Sequence, residues 1–120
     1  MPATWITHEG KRIVYVDFRD CKSEAEIEAV FETAVQMVLA SPEPVLVMNN
    51  FDGVAPSLAF LRTLRTRGVD YKHKVRAKAV LGVTDSNKKT VINTYSVLAG
   101  INARVFDTEA EALAYLVSKG

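Results

Sequence analysis

A single cysteine, Cys21, leaves no second thiol for an internal disulfide and no CxxC pair for a metal or redox motif. That scarcity suits a reducing compartment, and cytoplasm is the expected location. No apolar run approaches the roughly 20 residues a membrane span needs, so no integral membrane association is expected. The opening Met1-Pro2-Ala3-Thr4-Trp5 lacks the basic start and apolar core of a secretory signal. Charge of one sign is missing too: 15 Lys and Arg against 14 Asp and Glu give +1, so any electrostatic role falls to local clusters. Nucleic acid is not an expected partner, since interleaved exposed aromatics and a recognisable binding module are lacking. There is no Gly-rich phosphate loop or nucleophile elbow, and Gly82 in Leu81-Gly82-Val83-Thr84 reads as a lone glycine ending a strand. His8 and His73 lie in different elements with no second ligand at metal spacing, and Cys21 has no companion His. The chain is therefore expected to have no catalytic residue, metal or cofactor.

What is there, in 120 residues with 48% hydrophobic and 24% charged, fits one domain spanning 1–120. Val45-Leu46-Val47-Met48 is an unbroken apolar run, the mark of a strand covered on both faces. Trp5-Ile6-Thr7-His8 and Ile13-Val14-Tyr15-Val16-Asp17-Phe18, separated by Glu9-Gly10, predict a hairpin with the first strand antiparallel at an edge. Ser23-Glu24-Ala25-Glu26 has the spacing of a capping box. Ile27, Val30, Phe31, Ala34, Val35 and Val38 then recur at helical spacing, predicting a helix over about 24–40. A second helix starts after Ser57 and ends at Gly68. A strand follows in Val75–Val83, and a third helix carries Val91, Ile92, Tyr95, Leu98 and Ala99 on one face and closes at Gly100. Ala103–Phe106 is a short strand, and Thr108-Glu109-Ala110-Glu111 caps a last helix that buries Ala110, Leu113, Ala114 and Val117. The order is β-β-α-β-α-β-α-β-α: a mostly parallel five-stranded sheet, an antiparallel N-terminal edge strand and four helices.

Tyr15-Val16-Asp17-Phe18, the strand into Asn50-Phe51-Asp52-Gly53-Val54, Ala79-Val80-Leu81-Gly82-Val83-Thr84 and the closing Val105-Phe106-Asp107-Thr108-Glu109-Ala110-Glu111-Ala112-Leu113 resemble the SpoIIAA-like family. These small bacterial proteins are related to the STAS domain of anti-sigma factor antagonists and share a superfamily with the lipid-binding CRAL-TRIO fold. The resemblance covers nearly the whole chain and implies a fold more specifically than an activity. In anti-sigma factor antagonists, an Asp-Ser pair precedes the second helix and a kinase phosphorylates the Ser. Here the turn reads Val54-Ala55-Pro56-Ser57, without the Asp, so Ser57 is the one matching candidate. It reads either as that switch or as a plain helix N-cap.

The carboxyl ends of parallel strands should gather Arg19 and Asp20, Asn50 and Asp52, Thr84 and Asp85, and Asp107 and Thr108 along one edge, the default recognition surface. Four Asp there also suit a receiver-type phosphoacceptor or Mg²⁺ site. A receiver, however, wants five β-α units and a Lys where Phe106-Asp107 stands, and Asp at helix starts also complements the dipole. Arg62, Arg65, Arg67, Lys72, Lys74, Arg76 and Lys78, seven of the 15 basic residues, crowd 62–78 with Asp70 alone opposing, and Lys88 and Lys89 extend the group. Such a cluster meets an acidic protein, a phosphate-bearing ligand or an anionic surface, or is a solvated face. Trp5 and Ile6 are candidates for a homodimer face, because an unprotected edge strand invites pairing.

The expected role is a non-enzymatic regulatory module binding a protein partner through Asn50, Asp52, Ser57, Arg62, Arg65, Thr84 and Asp85, with Ser57 as the phosphorylation candidate. The alternative is a carrier of a lipid-like apolar ligand, which the CRAL-TRIO kinship implies.

Overall fold

The computed structural model describes residues 2–54, 57–83, 86, 87, 89, 90, 92 and 103–120; of Leu61 and Arg65 it describes the backbone alone. In chain order the elements are β1 (Ala3–His8), β2 (Lys11–Asp17), α1 (Glu24–Ala40), β3 (Val45–Asn50), α2 (Leu58–Tyr71), a 3-10 turn (Lys72–Lys74), β4 (Val75–Leu81), β5 (Ala103–Phe106) and α3 (Glu109–Lys119). The five strands lie in sequence order. β1 is antiparallel to β2, and every later pairing is parallel.

Turn chemistry joins β1 to β2. His8 faces Lys11 across Glu9 and Gly10, both with positive φ (47° and 79°), the two-residue turn whose twist suits a hairpin. Arg12 lies over the Trp5 ring, 4.1 Å from its centroid. α1 begins at the predicted N-cap, Ser23, whose Oγ accepts from the Glu26 N–H at 3.2 Å; the Glu26 carboxylate reaches back one residue further than a capping box requires and accepts from the Lys22 N–H at 3.4 Å. Its buried residues are Ile27, Val30, Phe31, Ala34, Val35 and Val38, the set expected from spacing.

Alternation along the strands makes two apolar layers. Val14, Val16, Val45, Val47 and Val80 face α1, α2 and Ile92. Ile13, Leu46, Met48, Ala77, Ala79 and Leu81 face α3, which contributes Ala112 and Leu116. β3 is buried along its whole length, as its unbroken apolar run predicts. Crossovers stepping one way along a sheet keep their helices on one face. α3 follows the last strand and closes the opposite one. Val45 pairs with Val75 but Leu46 with Ala77, so Arg76 is an extra residue that bulges out of β4.

Two expectations are corrected. Gly68 does not end the second helix: α2 runs to Tyr71, and the Gly68 carbonyl accepts from the Lys72 N–H. Buried Tyr71, ring to ring with Phe31 at 5.9 Å, anchors that last turn. The last helix buries Ala112 and Leu116, whereas Ala110 and Ala114 are exposed and Leu113 and Val117 half-buried. Two overlapping apolar stripes compete there, and the one with Leu116 meets the small Ala77 and Ala79 closely. Three helices have bounds among the described residues, against four expected. Ser86, Asn87, Lys89, Thr90 and Ile92 of the predicted third helix are helical, while Val91, Tyr95, Leu98, Ala99 and Gly100 lie outside the described residues.

Candidate functional site

The turn from β3 into α2 is built by three anchors. Asn50, at the end of a strand covered on both faces, is 9% exposed. Its Nδ2 donates to the Tyr15 hydroxyl at 2.9 Å, and its Oδ1 accepts from the Asp52 N–H at 2.9 Å. Both ends of the amide are thereby used, so Asn50 shapes the turn, and exposed Asp52 enters it ahead of Gly53 at φ 77°. Phe51 next stacks on Phe18, centroids 4.3 Å apart and planes within 4°. Phe60 meets both edge-on and has no exposed surface. Ser57 is the third anchor: its Oγ accepts from the Phe60 N–H at 3.0 Å, capping α2. Ala55 and Pro56 between them lie outside the described residues, as do Thr84 and Asp85.

A neighbouring turn presses on this one from β4. Gly82 has φ 83°, and a Cβ there would run into the backbone N and Cα of Asp52. The two carboxyl-edge turns are thus in backbone contact because residue 82 has no side chain.

Along α2, Leu58 (61% exposed), Arg62, Thr66 and Val69 (70% exposed) fall at i, i+4, i+8 and i+11, one solvent-facing stripe. Beside it a shallow depression of about 350 Å³ is lined by Arg62, Thr63, Thr66, Arg67 and Asp70. Two large exposed apolar side chains on either side of a cation form a surface suited to contact. Nothing in the local spacing marks Leu58 or Val69 as exposed, so neither is among the expected site residues.

The basic cluster is dispersed. Arg67 makes a bidentate bond to Glu32 on α1 (2.7 and 3.1 Å) and a third bond to Asp70 at 2.6 Å. Asp70 is therefore not the sole opposing charge. The Arg67 bond, with a second from Gln36, holds the Glu32 carboxyl below its ordinary range, and Glu32 in turn raises the Arg67 pKa. Lys74 Nζ donates to the Ser41 carbonyl at 2.7 Å. Lys78 turns into the core at 8% exposure and donates to the Tyr71 hydroxyl at 3.1 Å. Lys89 pairs with Asp107 at 3.2 Å, and Lys88 lies outside the described residues. Period-two alternation puts Lys78 on an inward face, whereas sequence proximity alone groups it with surface cations.

At the β2 end, Asp17 accepts from Arg19 Nη2 at 2.8 Å, Nε at 2.9 Å and the backbone N–H at 2.9 Å. The Arg19 side-chain bond holds the Asp17 carboxyl below its ordinary range, opposed by burial. Burial foremost, then the carboxylates of Glu26, Asp17 and Asp20, pushes the Cys21 thiol up and keeps it a poor nucleophile. Of the expected recognition residues, Asn50 and Asp52 share one turn and Ser57 and Arg62 share one helix. No hydrogen bond joins the two pairs among the described residues. Tyr15, Asp17 and Glu32 were missed as partners because nothing in one sequence reports contacts across strands or helices. Among the described residues no group of three or more His, Cys, Asp or Glu is placed to hold a metal ion, and no helix is long and apolar enough to cross a membrane.

Comparison with family models, with curated proteins and with solved structures finds no match to the chain.

Proposed function

We propose that this chain is a SpoIIAA-like, non-enzymatic binding module that engages a protein partner through the outer face of α2, with Ser57 as a phosphorylation switch at its start. The reading draws support from strands in sequence order, β1 antiparallel, and α1 and α2 on one sheet face with α3 on the other. The observation that carries it is the exposed stripe of Leu58, Arg62, Thr66 and Val69 on a helix whose first turn Ser57 caps. Exposed aliphatic side chains flanking an Arg give apolar area and a charge that selects acidic neighbours. A phosphate on Ser57 would add about two negative charges at the helix start, where the dipole accepts them, and would change the partner surface without melting α2.

The test is capture from a bacterial extract on immobilised chain, with bound proteins quantified by mass spectrometry for wild type, Arg62→Glu, Val69→Glu and Ser57→Asp. A protein retained by wild type and reduced tenfold or more by the α2 variants is the expected result. Identical bound sets for all four overturn the reading. A small-molecule adduct of a few hundred daltons in native mass spectra redirects it to the apolar-ligand carrier.

A further inference from the structure

β1 stands at one edge of the sheet, with β2 on its inner side. Which of its backbone groups face outward follows from the neighbouring bonds. The Phe18 N–H donates to Asn50 on the β3 side, and the Asp17 N–H donates to Pro2 on the β1 side. Odd-numbered residues of β2 therefore bond to β1. The antiparallel register, Ala3 opposite Val16 through His8 opposite Lys11, then makes Thr4, Ile6 and His8 the inward-bonding residues. The backbone groups of Ala3, Trp5 and Thr7 face outward. Ala3 is only 3% exposed, so the accessible edge is Trp5 to Thr7.

Edge strands of monomers are ordinarily guarded by a charge, a proline or a bulge. β1 reads Ala-Thr-Trp-Ile-Thr-His, without a Lys, Arg, Asp, Glu or Pro, and its pairing with β2 is unbroken. The opposite edge, β5, is four residues long and carries Arg104.

We propose that β1 is a self-association edge, pairing antiparallel with β1 of a second copy of this chain about a two-fold axis at Ile6 and joining two sheets into one of ten strands. In that register Trp5 lies opposite the partner's Thr7, and Thr7 opposite the partner's Trp5. Both are bonded pairs, so four backbone hydrogen bonds form from the outward groups of those residues. Ile6 meets the partner's Ile6 in the closer, non-bonded pair, and Thr4 meets the partner's His8. No Lys, Arg, Asp or Glu is opposed to its own kind. Any strand would satisfy the backbone. The second copy is selected because β1 itself carries no charged residue, so self-pairing opposes no charge within the strand. A two-fold contact closes at two copies, whereas β1 on β5 of the next copy would propagate. The assembly uses no residue of α2 and stands apart from the binding role proposed above.

Sedimentation of the full chain from 1 to about 500 µM tests it. The expected result is a concentration-dependent shift from 13.2 kDa to twice that mass. Thr7→Pro removes an outward N–H without touching the β1–β2 ladder, and Ile6→Lys sets two ammonium groups face to face; each should weaken dimerisation tenfold or more. A wild type that stays monomeric, an open-ended polymer, or a dimer untouched by either folded variant overturns the proposal. Should both variants unfold by circular dichroism, amide exchange on wild type decides. Dilution below the dimer range should speed exchange at Trp5 and Thr7 at least tenfold while leaving Val14 unchanged, and equal rates at those two amides overturn it.

Discussion

Glu9 is the one non-glycine residue with positive φ among the described residues, at 47°. Its side chain makes that conformation cost about 1 kcal/mol, which Asn tolerates better. Glu9→Asn is expected to raise stability by about 0.5–1 kcal/mol, read as a higher midpoint in urea with unchanged slope. Gly82 is the opposite case. Both its φ of 83° and the Asp52 backbone against it exclude a side chain. Gly82→Ala is expected to cost more than about 2 kcal/mol, because neither backbone can retreat without disturbing the Phe51 stack. A melting temperature within a degree of wild type would refute that account.

At the scale of elements, α2 is held at both ends and braced at its middle. Ser57→Ala removes the cap and should lower stability by about 1 kcal/mol, whereas Ser57→Asp keeps an N-cap acceptor and should stay within about 0.5 kcal/mol of wild type. That contrast, measured by thermal unfolding, separates the structural role of Ser57 from any effect on a partner. The brace is Arg67, which ties α2 to Glu32 on α1. Glu32 and Asp17 both have pKa values lowered in the fold by arginine hydrogen bonds. A carboxyl with a depressed folded pKa contributes stability that is complete above its unfolded value and is lost as pH falls through the folded one. The midpoint temperature should therefore hold at neutral pH and drop as pH falls below about 4.5, the ordinary value for Glu32. Arg67→Gln should make that acid limb shallower, and salt should do the same in part, since the pair is only half-buried.

Over the whole molecule, one sheet separates two apolar layers of unequal cover. Among the described residues, α1 and α2 shelter one face together with Ile92, and α3 covers the other over β3 to β5. Removing residues 108–120 would uncover Leu46, Met48 and Leu81 together, an apolar patch of the kind that aggregates. The shortened chain is expected to form aggregates or bind a hydrophobic dye strongly, while the 120-residue chain should do neither.

Much of the fold was legible because its signals are local. Capping boxes at Ser23 and Thr108, the Glu9-Gly10 turn and the buried stripe of α1 depend on residues a few positions apart. They give the element order and the mixed sheet. Less of the candidate site was legible. Ser57 as a cap and Asp52 as a turn residue are local readings, but Asn50 bonding Tyr15, and Arg67 bonding Glu32, join residues 35 positions apart. Sequence alone could not choose between the two apolar stripes of the last helix, nor tell that α2 passes Gly68 to seat Tyr71. Those choices belong to tertiary packing, because burial free energy is gained only against a specific neighbour: Ala77 and Ala79 beneath Leu116, and Phe31 beside Tyr71. Short-range sterics and hydrogen bonding between near neighbours in the chain set which segments become strands and helices. Which cations remain at the surface and which edge residues turn their backbone outward is fixed on assembly, since both depend on what the sheet places beside them.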